Sequence, residues 1–362
     1  MKTIIVDMMG GDKAPVETVK GVCLAARELT ANYILVGDRA QLEAAAAEAK
    51  LSLDPFEIVD TPTVLTMEDE PASVMREKAD SSMSVALRLL AEGKGDAMVS
   101  TGNTGALYTG ANLIVRRIKG LRRPAIGAMM PMQPPFLLLD SGANIDVTPE
   151  IMEQFAVMGV SYMKEMMGVE NPRVGLLNNG SEEHKGTELY RNTYGLLAAN
   201  PNLNFVGNVE GNRVMFDACD VLVTDGFTGN ILLKTMEGMG KLMIKTLKGL
   251  FYENLKSKLA ALMVMKGIKG VKKNFDSKEY GGAPILGIAK PVIKAHGSSD
   301  AKAFKNAIRQ ALACAEKDLT AEMTAALAAL AERRRQEKLA DANGQEEQQK
   351  ETKGITSCEK TI

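Results

Sequence analysis

The chain has 362 residues with 44 basic and 45 acidic side chains, and a formal net charge of −1 argues against a general nucleic-acid binder. Its four Cys stand far apart and it has only two His, which argues against a disulfide framework, a structural zinc site and a His-dependent nucleophile. No apolar run approaches the roughly 18 residues of a membrane span, and the first one, Thr3–Val6, is too short for a signal peptide. We expect a protein of the reducing cytosol that holds no metal.

One local pattern recurs along the chain: a short apolar run, a loop of small or polar residues, and then a helical pattern. Thr3–Val6 precedes a predicted helix over Val16–Leu29, and Tyr33–Val36 precedes an Ala-rich helix that ends at Lys50. Later apolar runs are Asp96–Ser100, Pro135–Leu139, Arg173–Leu177, Val221–Thr224 and Val292–Ala295. This alternation predicts an α/β fold with three layers, α/β/α, around a mostly parallel sheet.

No Pro/Ser-rich linker divides the chain, so we expect one catalytic domain over residues 1–331, either continuous or built of two associated lobes. Residues 332–362 have seven basic and seven acidic side chains and abundant Gln, which predicts a disordered tail. Within the domain, residues 241–273 carry nine Lys and a single acidic residue. This segment therefore has a net charge of +8 while the rest of the chain carries −9.

Five loops follow predicted strands and precede predicted helices: Gly10–Asp12, Thr101–Gly105, Asp140–Asn144, Asp225–Asn230 and His296–Asp300. Ligands of parallel sheets bind at the carboxyl ends of the strands. Helix N-termini there carry unpaired N–H donors that suit an anion. Because no GxGxxG or GxxxxGK[ST] signature is present, the pattern favours free phosphate or a small phosphorylated group over ATP or NAD.

Six segments carry a resemblance to a known family. They read VDMMGGD (6–12), STGNTGA (100–106), FVGNVEG (205–211), DGFTGN (225–230), YGGAP (280–284) and AHGSSDAK (295–302). Over about residues 1–320 the chain resembles the bacterial phosphate acyltransferase, the acyl-carrier-protein:phosphate transacylase of phospholipid synthesis.

The resemblance implies conversion of fatty acyl-acyl carrier protein (ACP) and inorganic phosphate to acyl phosphate and free ACP. It implies a fold similar to phosphotransacetylases and isopropylmalate dehydrogenases, a homodimer, and no metal or nicotinamide cofactor. The acyl phosphate would feed phosphatidic acid synthesis through a membrane glycerol-3-phosphate acyltransferase. We therefore expect an enzyme in the cytoplasm that associates peripherally with the inner face of an anionic membrane.

The resemblance points to Lys185 and Asn230 as catalytic residues. Each has a simpler interpretation, because Lys185 suits a solvated helix start and Asn230 suits a cap for a helix beginning at Ile231. The predicted phosphate-binding residues are Gly10, Gly11, Asp12, Asn103, Thr104, His296 and Ser298. Asp12 could equally cap a helix near Pro15, and His296 could equally stabilise its own loop.

The basic segment 241–273 also has apolar residues at helical spacing, and Leu255, Leu259, Leu262 and Met263 are the predicted membrane contacts. A basic amphipathic helix suits an anionic membrane surface. Taken separately, an apolar stripe suits a protein core and a Lys run suits a solvated face. The same segment could instead bind acidic ACP.

A second basic patch is the alternative docking surface for ACP: Arg116, Arg117, Lys119, Arg122 and Arg123. Cations at a helix C-terminus are also explained by the helix dipole alone. Two rival functions stay open at this point. One is a metal-dependent dehydrogenase of similar fold, for which we find no Arg and Asp constellation. The other is a non-catalytic membrane or ACP scaffold, which leaves the anion-binding loops unexplained.

Overall fold

A computed structural model of the protein describes residues 1–252 and 281–358. The strands of these residues join in one sheet of eleven. They are β1 (Thr3–Asp7), β2 (Asn32–Gly37), β3 (Glu57–Asp60), β4 (Ala97–Ser100), β5 (Ala125–Met130), β6 (Phe136–Leu139), β7 (Arg173–Asn178), β8 (Asn204–Glu210), β9 (Val221–Val223), β10 (Ala283–Leu286) and β11 (Val292–Lys294).

Helices alternate with these strands for most of the described chain. They are α1 (Val16–Glu28), α2 (Arg39–Ala49), α3 (Ser82–Ala91), α4 (Thr104–Gly110), α5 (Pro149–Met167), α6 (Glu188–Ala198), α7 (Gly226–Tyr252), α8 (Ala301–Glu316) and α9 (Leu319–Cys358). A short 3-10 helix spans Pro71–Met75, and a π-helix over Ala111–Arg116 continues α4.

The strand order is β3-β2-β1-β4-β11-β10-β5-β6-β9-β7-β8. The five strands from β3 to β11 are parallel to one another, and so are the four from β6 to β8. Between them, β10 and β5 pair antiparallel with each other and with their outer neighbours. The two parallel halves consequently run in opposite directions. The α/β fold with a mostly parallel sheet is confirmed, whereas its antiparallel centre was not predicted.

Strand β1 shows how the sheet comes to be covered on both faces. Successive side chains of a strand point to opposite faces. Ile4 and Val6 join a hydrophobic cluster with residues of α1, α2, α5, α6, α8 and α9, whereas Ile5 joins a cluster with residues of α3 and α4. A third cluster takes in the first part of α7 through Leu232 and Met236. The sheet is therefore the middle layer of three.

The C-terminal helix α9 is attached to the body by a buried carboxylate on α5. Glu153 has none of its surface exposed, and it accepts hydrogen bonds from Arg333 at 2.5 Å and from Arg334. It also accepts from the side chain of Asn200 at 2.8 Å. The predicted division of the chain at residue 332 stays a prediction. In the part of the chain that the structure describes, no helix has both the length and the apolar character needed to cross a bilayer.

Candidate functional site

The loops that follow β1, β4 and β11 touch one another at one edge of the sheet. The nitrogen of Asp12 donates to the carbonyl of Gly297 at 2.9 Å, and the hydroxyl of Thr101 donates to the carbonyl of Gly10. A Cβ atom on Gly10 would lie 2.6 Å from the nitrogen of Gly102, so only glycine allows this approach. We call these three loops, residues 8–12, 101–105 and 296–300, the first loop group.

The two adjacent glycines of the first loop group have different constraints. Gly11 has φ +89°, and a Cβ there would also lie 2.8 Å from the hydroxyl oxygen of Thr101. Burial raises the pKa of Asp7, and the N–H of Gly10 is among the groups that act in the opposite direction, so this N–H faces the Asp7 carboxylate. The expected role of Gly11 as a backbone donor to phosphate stays a prediction.

A buried carboxylate that the sequence pattern did not single out lies beneath the first loop group. Asp7 ends β1 with none of its surface exposed, and it accepts from the hydroxyls of Ser100 at 2.6 Å and Ser82 at 2.7 Å. The nitrogen of Gly102 in turn donates to the Ser100 hydroxyl at 3.0 Å. Burial raises the pKa of Asp7, and these hydrogen bonds act in the opposite direction. Asp7 therefore joins β1, β4 and α3 at the base of the loops.

A buried lysine lies at the carboxyl end of β11, two strands away from β1 and Asp7 in the sheet. Lys294 ends β11, where it pairs with Ser100 of β4, and 8% of its surface is exposed. Its ammonium donates to the carbonyl of Thr101 at 3.3 Å and to that of Ala295. Burial lowers the pKa of Lys294 to about 8, while the charges of Asp7 and Asp12 act in the opposite direction.

His296 is held in one tautomer by its own loop. Its Nδ1 accepts a hydrogen bond from the nitrogen of Ser298 at 3.1 Å and lies 2.9 Å from the Ser298 hydroxyl. In the neutral ring the proton is then on Nε2. Burial lowers the pKa of His296, and the charge of Lys294 lowers it further. The geometry supports the loop-stabilising interpretation of His296 and leaves Nε2–H available as a donor to a ligand.

Asn103 holds a long surface segment, residues 61–80, against the first loop group. Its side-chain oxygen caps α4 by accepting from the nitrogen of Ala106 at 3.1 Å. Its side-chain nitrogen donates to the carbonyls of Met67 at 3.1 Å and Asp69 at 3.0 Å. Both ends of the Asn103 amide are therefore engaged by the protein, whereas the predicted phosphate ligand Thr104 is exposed.

A second loop group follows β6 and β9 and comprises residues 140–144 and 225–230. Asp140 is buried, and its carboxylate accepts from the nitrogens of Ala143 at 3.1 Å and Asn144 at 2.7 Å. The nitrogen of Gly226 donates to the carbonyl of Asn144 at 2.7 Å. Burial raises the pKa of Asp140, opposed by these hydrogen bonds.

The predicted start of α7 was wrong by five residues. The helix begins at Gly226 because the carboxylate of Asp225 accepts from the nitrogen of Thr228 at 2.8 Å, as an N-cap residue does. Asn230 is therefore the fifth residue of α7 and does not cap a helix at Ile231. Its exposed side chain lies beside Gly142 of the neighbouring loop, where a Cβ would be 3.5 Å from Asn230 Oδ1.

Helices α4 and α7 bring the two loop groups together. The loop groups meet in this way even though the two halves of the sheet run in opposite directions. The hydroxyl of Tyr108 on α4 donates to the side-chain oxygen of Asn144 at 3.0 Å. On α7, Lys234 and Glu237 are near enough for their charges to shift the pKa of His296. The two loop groups are therefore close to each other, and we call the space that they share the cleft, which is the candidate site.

Lys185 lies in the loop between β7 and α6, on the side of the second loop group. Its side chain is 41% exposed and its ammonium is 3.9 Å from the carboxylate of Glu182. The loop is fixed from below, because the side chain of Asn178 donates to the carbonyl of Lys185 at 3.2 Å. In the described part of the chain no hydrogen bond joins Lys185 to Asn230, so their joint action stays a prediction.

The predicted ACP patch lies beside the connection between the loop groups. All five of its cations are exposed. Burial raises the pKa of Tyr108 to about 12, whereas the charges of Arg123 and Arg117 act in the opposite direction and therefore lie nearby. Arg122 is partly neutralised by Glu150 at 3.1 Å. Arg117 and Arg123 are thus cations of the patch that lie near Tyr108.

The outer part of α7 enters the basic segment 241–273 without a covering layer. Met239, Met243, Leu247 and Leu250 are 45–59% exposed. These side chains lie on the same helical stripe as Leu232 and Met236, which pack against the core. The predicted membrane contacts Leu255, Leu259, Leu262 and Met263 lie outside the described residues. In the residues that are described, no group of three or more His, Cys, Asp and Glu side chains is arranged to hold a metal ion.

Comparisons with known proteins agree on the kind of protein. The chain matches the model of a family described as fatty acid synthesis protein over residues 2–322. It is 45% identical over 317 residues to the phosphate acyltransferase of Thermoanaerobacterium thermosaccharolyticum, covering 87% of this chain and 94% of that protein. It is 47% identical over 315 residues to the phosphate acyltransferase of Acetivibrio thermocellus, covering 86% and 93%.

Solved structures of the same fold have low sequence identity. A phosphotransacetylase from Streptococcus pyogenes superimposes with a TM-score of 0.58 at 18% identity, covering 87% of this chain and 94% of that one. A 4-hydroxythreonine-4-phosphate dehydrogenase from Klebsiella pneumoniae gives a TM-score of 0.54 at 14% identity, covering 87% and 100%. The expected likeness of fold to phosphotransacetylases is confirmed.

The contacts of Asn103 predict how the 61–80 segment is retained. In Asn103→Asp the oxygen that caps α4 remains, but the donor to the segment is replaced by a carboxylate facing carbonyl oxygens. Loss of about 2 kcal/mol should raise the open population of the segment about 30-fold. Trypsin should then cut after the exposed Arg76 correspondingly faster, with little change in melting temperature.

The matched control for this prediction is Asn112→Asp on the following π-helix, because Asn112 makes only a 3.5 Å contact with Arg117. Equal cleavage rates in Asn103→Asp, Asn112→Asp and the parent protein would show that Asn103 does not retain the segment.

Proposed function

Because the chain belongs to the phosphate acyltransferase family, we propose that it transfers a fatty acyl group from the thioester of acyl-ACP to inorganic phosphate. An oxygen of phosphate attacks the thioester carbonyl carbon, the carbon–sulfur bond breaks, and the thiolate of ACP leaves and takes up a proton. The products are acyl phosphate and free ACP.

The observation that carries this proposal is the cleft between the two loop groups. A phosphate bound among glycine-rich loops at helix N-termini is held by backbone donors and by the positive helix ends. Direct attack by bound phosphate needs positioning and preorganised donors and no covalent enzyme intermediate. The first loop group supplies tightly packed backbone, and the second carries Asn230 across the cleft.

Lys185 and Asn230 are the proposed catalytic pair. A lysine ammonium stabilises the negative charge of phosphate, or that of the oxyanion that forms on the thioester carbonyl. The amide of Asn230 is a hydrogen-bond donor of the kind that oxyanion sites use. Support for this assignment comes from the exposure of both side chains and from their loops, which follow the neighbouring strands β7 and β9.

Incubation with acyl-ACP and labelled phosphate tests the reaction itself. Label should appear in acyl phosphate in step with the release of free ACP. Acyl-coenzyme A with the same acyl chain is the parallel substrate, because the structural neighbours include phosphotransacetylases. Hydrolysis of acyl-ACP without labelled acyl phosphate, or transfer from acyl-coenzyme A alone, would refute the proposal.

The place of the reaction follows from the chemistry of its product. Acyl phosphate carries a fatty chain, and a membrane glycerol-3-phosphate acyltransferase is the proposed enzyme that consumes it for phospholipid synthesis. We propose a cytoplasmic homodimer that lies peripherally on the anionic inner face of the membrane. The outer part of α7 supports this placement, because lysines alternate there with exposed apolar side chains such as Met243 and Leu247.

The catalytic pair gives the first prediction of this proposal. Lys185→Ala and Asn230→Ala should each lower the rate of acyl phosphate formation at least about 100-fold, as loss of one oxyanion donor does elsewhere. The melting temperature should barely move, because both side chains are exposed. Lys164→Ala, an exposed lysine on α5, is the control and should retain full activity. Turnover retained in either site variant would contradict the assignment.

The basic patch gives a second prediction. Arg117→Glu with Arg123→Glu should raise the KM for acyl-ACP about tenfold at low salt, because acidic ACP loses its electrostatic attraction. The effect should shrink at high salt. Lys94→Glu with Lys20→Glu makes the same change in net charge outside the patch and is the control. An unchanged KM would favour the segment 241–273 as the docking surface.

Membrane association gives a third prediction. Leu255→Glu with Leu259→Glu should abolish binding to vesicles of anionic phospholipid at low salt while acyl phosphate formation in solution persists. Sedimentation with the vesicles measures the bound fraction. Lys20→Glu on α1 is the control for the change in charge. Undiminished vesicle binding of the Leu255/Leu259 variant would contradict a membrane role for this segment.

A further inference from the structure

Lys294 is a buried cation whose charge no neighbouring carboxylate neutralises directly. In the described part of the chain it is the only buried lysine or arginine. Its ammonium donates to two backbone carbonyls, those of Thr101 and Ala295, and forms none of the ion pairs found among the described residues. Burying an ammonium away from a counter-charge is costly, so a position of this kind indicates a use for the charge.

The two carbonyls lie in different parts of the chain. Thr101 begins one loop of the first loop group, and Ala295 immediately precedes another. By binding the Thr101 and Ala295 carbonyls from below, Lys294 turns these peptide units so that their oxygens face the protein. An ammonium has three donors, and the two carbonyls account for two of them. Neither carbonyl uses the third donor, and two neutral carbonyls leave the positive charge of the ammonium uncompensated.

The surroundings of Lys294 identify the side from which an anion would approach. Asp7 lies at the end of β1 and is bonded to Ser100, the residue of β4 that pairs with Lys294. Its carboxylate accepts hydrogen bonds from hydroxyl and backbone donors. Asp12, Lys234 and His296 each interact electrostatically with the Lys294 ammonium, and Asp12 and His296 belong to the first loop group. The charge of Lys294 therefore acts on side chains of the first loop group.

We propose that Lys294 is a positioning residue of the anion site, which orients the backbone of the first loop group and supplies the buried positive charge that holds an inorganic oxyanion there. This inference rests on the proposed function, in which phosphate is the anion. It assigns to Lys294 a part in phosphate affinity and leaves the chemistry of transfer to groups that touch the substrate.

The pKa of Lys294, lowered to about 8 by burial, makes the proposal testable without a variant. As pH rises through about 8 the ammonium becomes neutral, and the affinity for an anion must then fall. Because a bound anion favours the charged form, the dissociation constant should rise by up to about tenfold per pH unit above this value. His296 has a pKa lowered below its ordinary 6.5, so its titration lies under this window.

Sulfate is the probe, because its charge does not change between pH 6.5 and 9.5 whereas that of phosphate does. Calorimetry measures its binding without relying on activity. We expect constant affinity up to about pH 7.5 and a steep loss above about pH 8. Lys294→Arg should give a flat profile because a guanidinium does not deprotonate in this range. Lys294→Met should bind sulfate weakly at every pH and raise the KM for phosphate more than it lowers kcat.

Two comparisons decide whether the anion affinity depends on Lys294. Lys290, near the other end of β11, also donates to a backbone carbonyl, that of Gly95. The Lys290→Met protein is the control and should bind sulfate as the parent protein does. A pH dependence that persists in Lys294→Arg would assign the titration to another group and overturn the proposal. So would a flat profile in the parent protein. If the parent binds sulfate as described but forms no acyl phosphate, the proposed function fails while the anion site stands.

Discussion

The buried carboxylate of Asp7 is the contact on which the first loop group depends. It lies at the end of β1 and gathers donors from α3, from β4 and from the backbone of its own loop. Burial raises the pKa of Asp7, and these donors act in the opposite direction because they stabilise the charged carboxylate. The loops after β1 and β4 then meet at Gly10 and Gly102, where no side chain fits. Asp140 plays the same part in the second loop group, because its buried carboxylate accepts hydrogen bonds from several backbone N–H groups.

The antiparallel strands at the centre of the sheet decide how the two groups meet. In an all-parallel sheet every strand would present its carboxyl end at the same edge. Here β10 and β5 reverse the direction, so the second half presents its carboxyl ends the other way. The groups share a cleft because α4 reaches Asn144 through Tyr108, and because α7 brings Lys234 towards His296.

The sequence pattern predicted the α/β layers, the family and the loops at the strand ends, because apolar runs and small-residue loops are local signals. It did not predict the reversal at β10 and β5, since strand direction is decided by distant pairing. The pattern places Asp225 in a loop, whereas its carboxylate caps α7 and starts the helix five residues before the predicted position. The pattern does not mark Lys294 as a site residue inside the apolar run Val292–Ala295. A charged residue in such a run is itself a signal, but its partners are backbone carbonyls that only the fold brings near.

Helix α7 begins in the cleft and ends at the surface. Its 27 residues span about 40 Å, and Asp225 fixes its inner end while Leu232 and Met236 pack on the core. The same helix therefore carries Asn230 and Lys234 at its inner end and the exposed Met243 and Leu247 at its outer end. A ligand in the candidate site and a surface against the outer part of α7 would each contact one continuous helix.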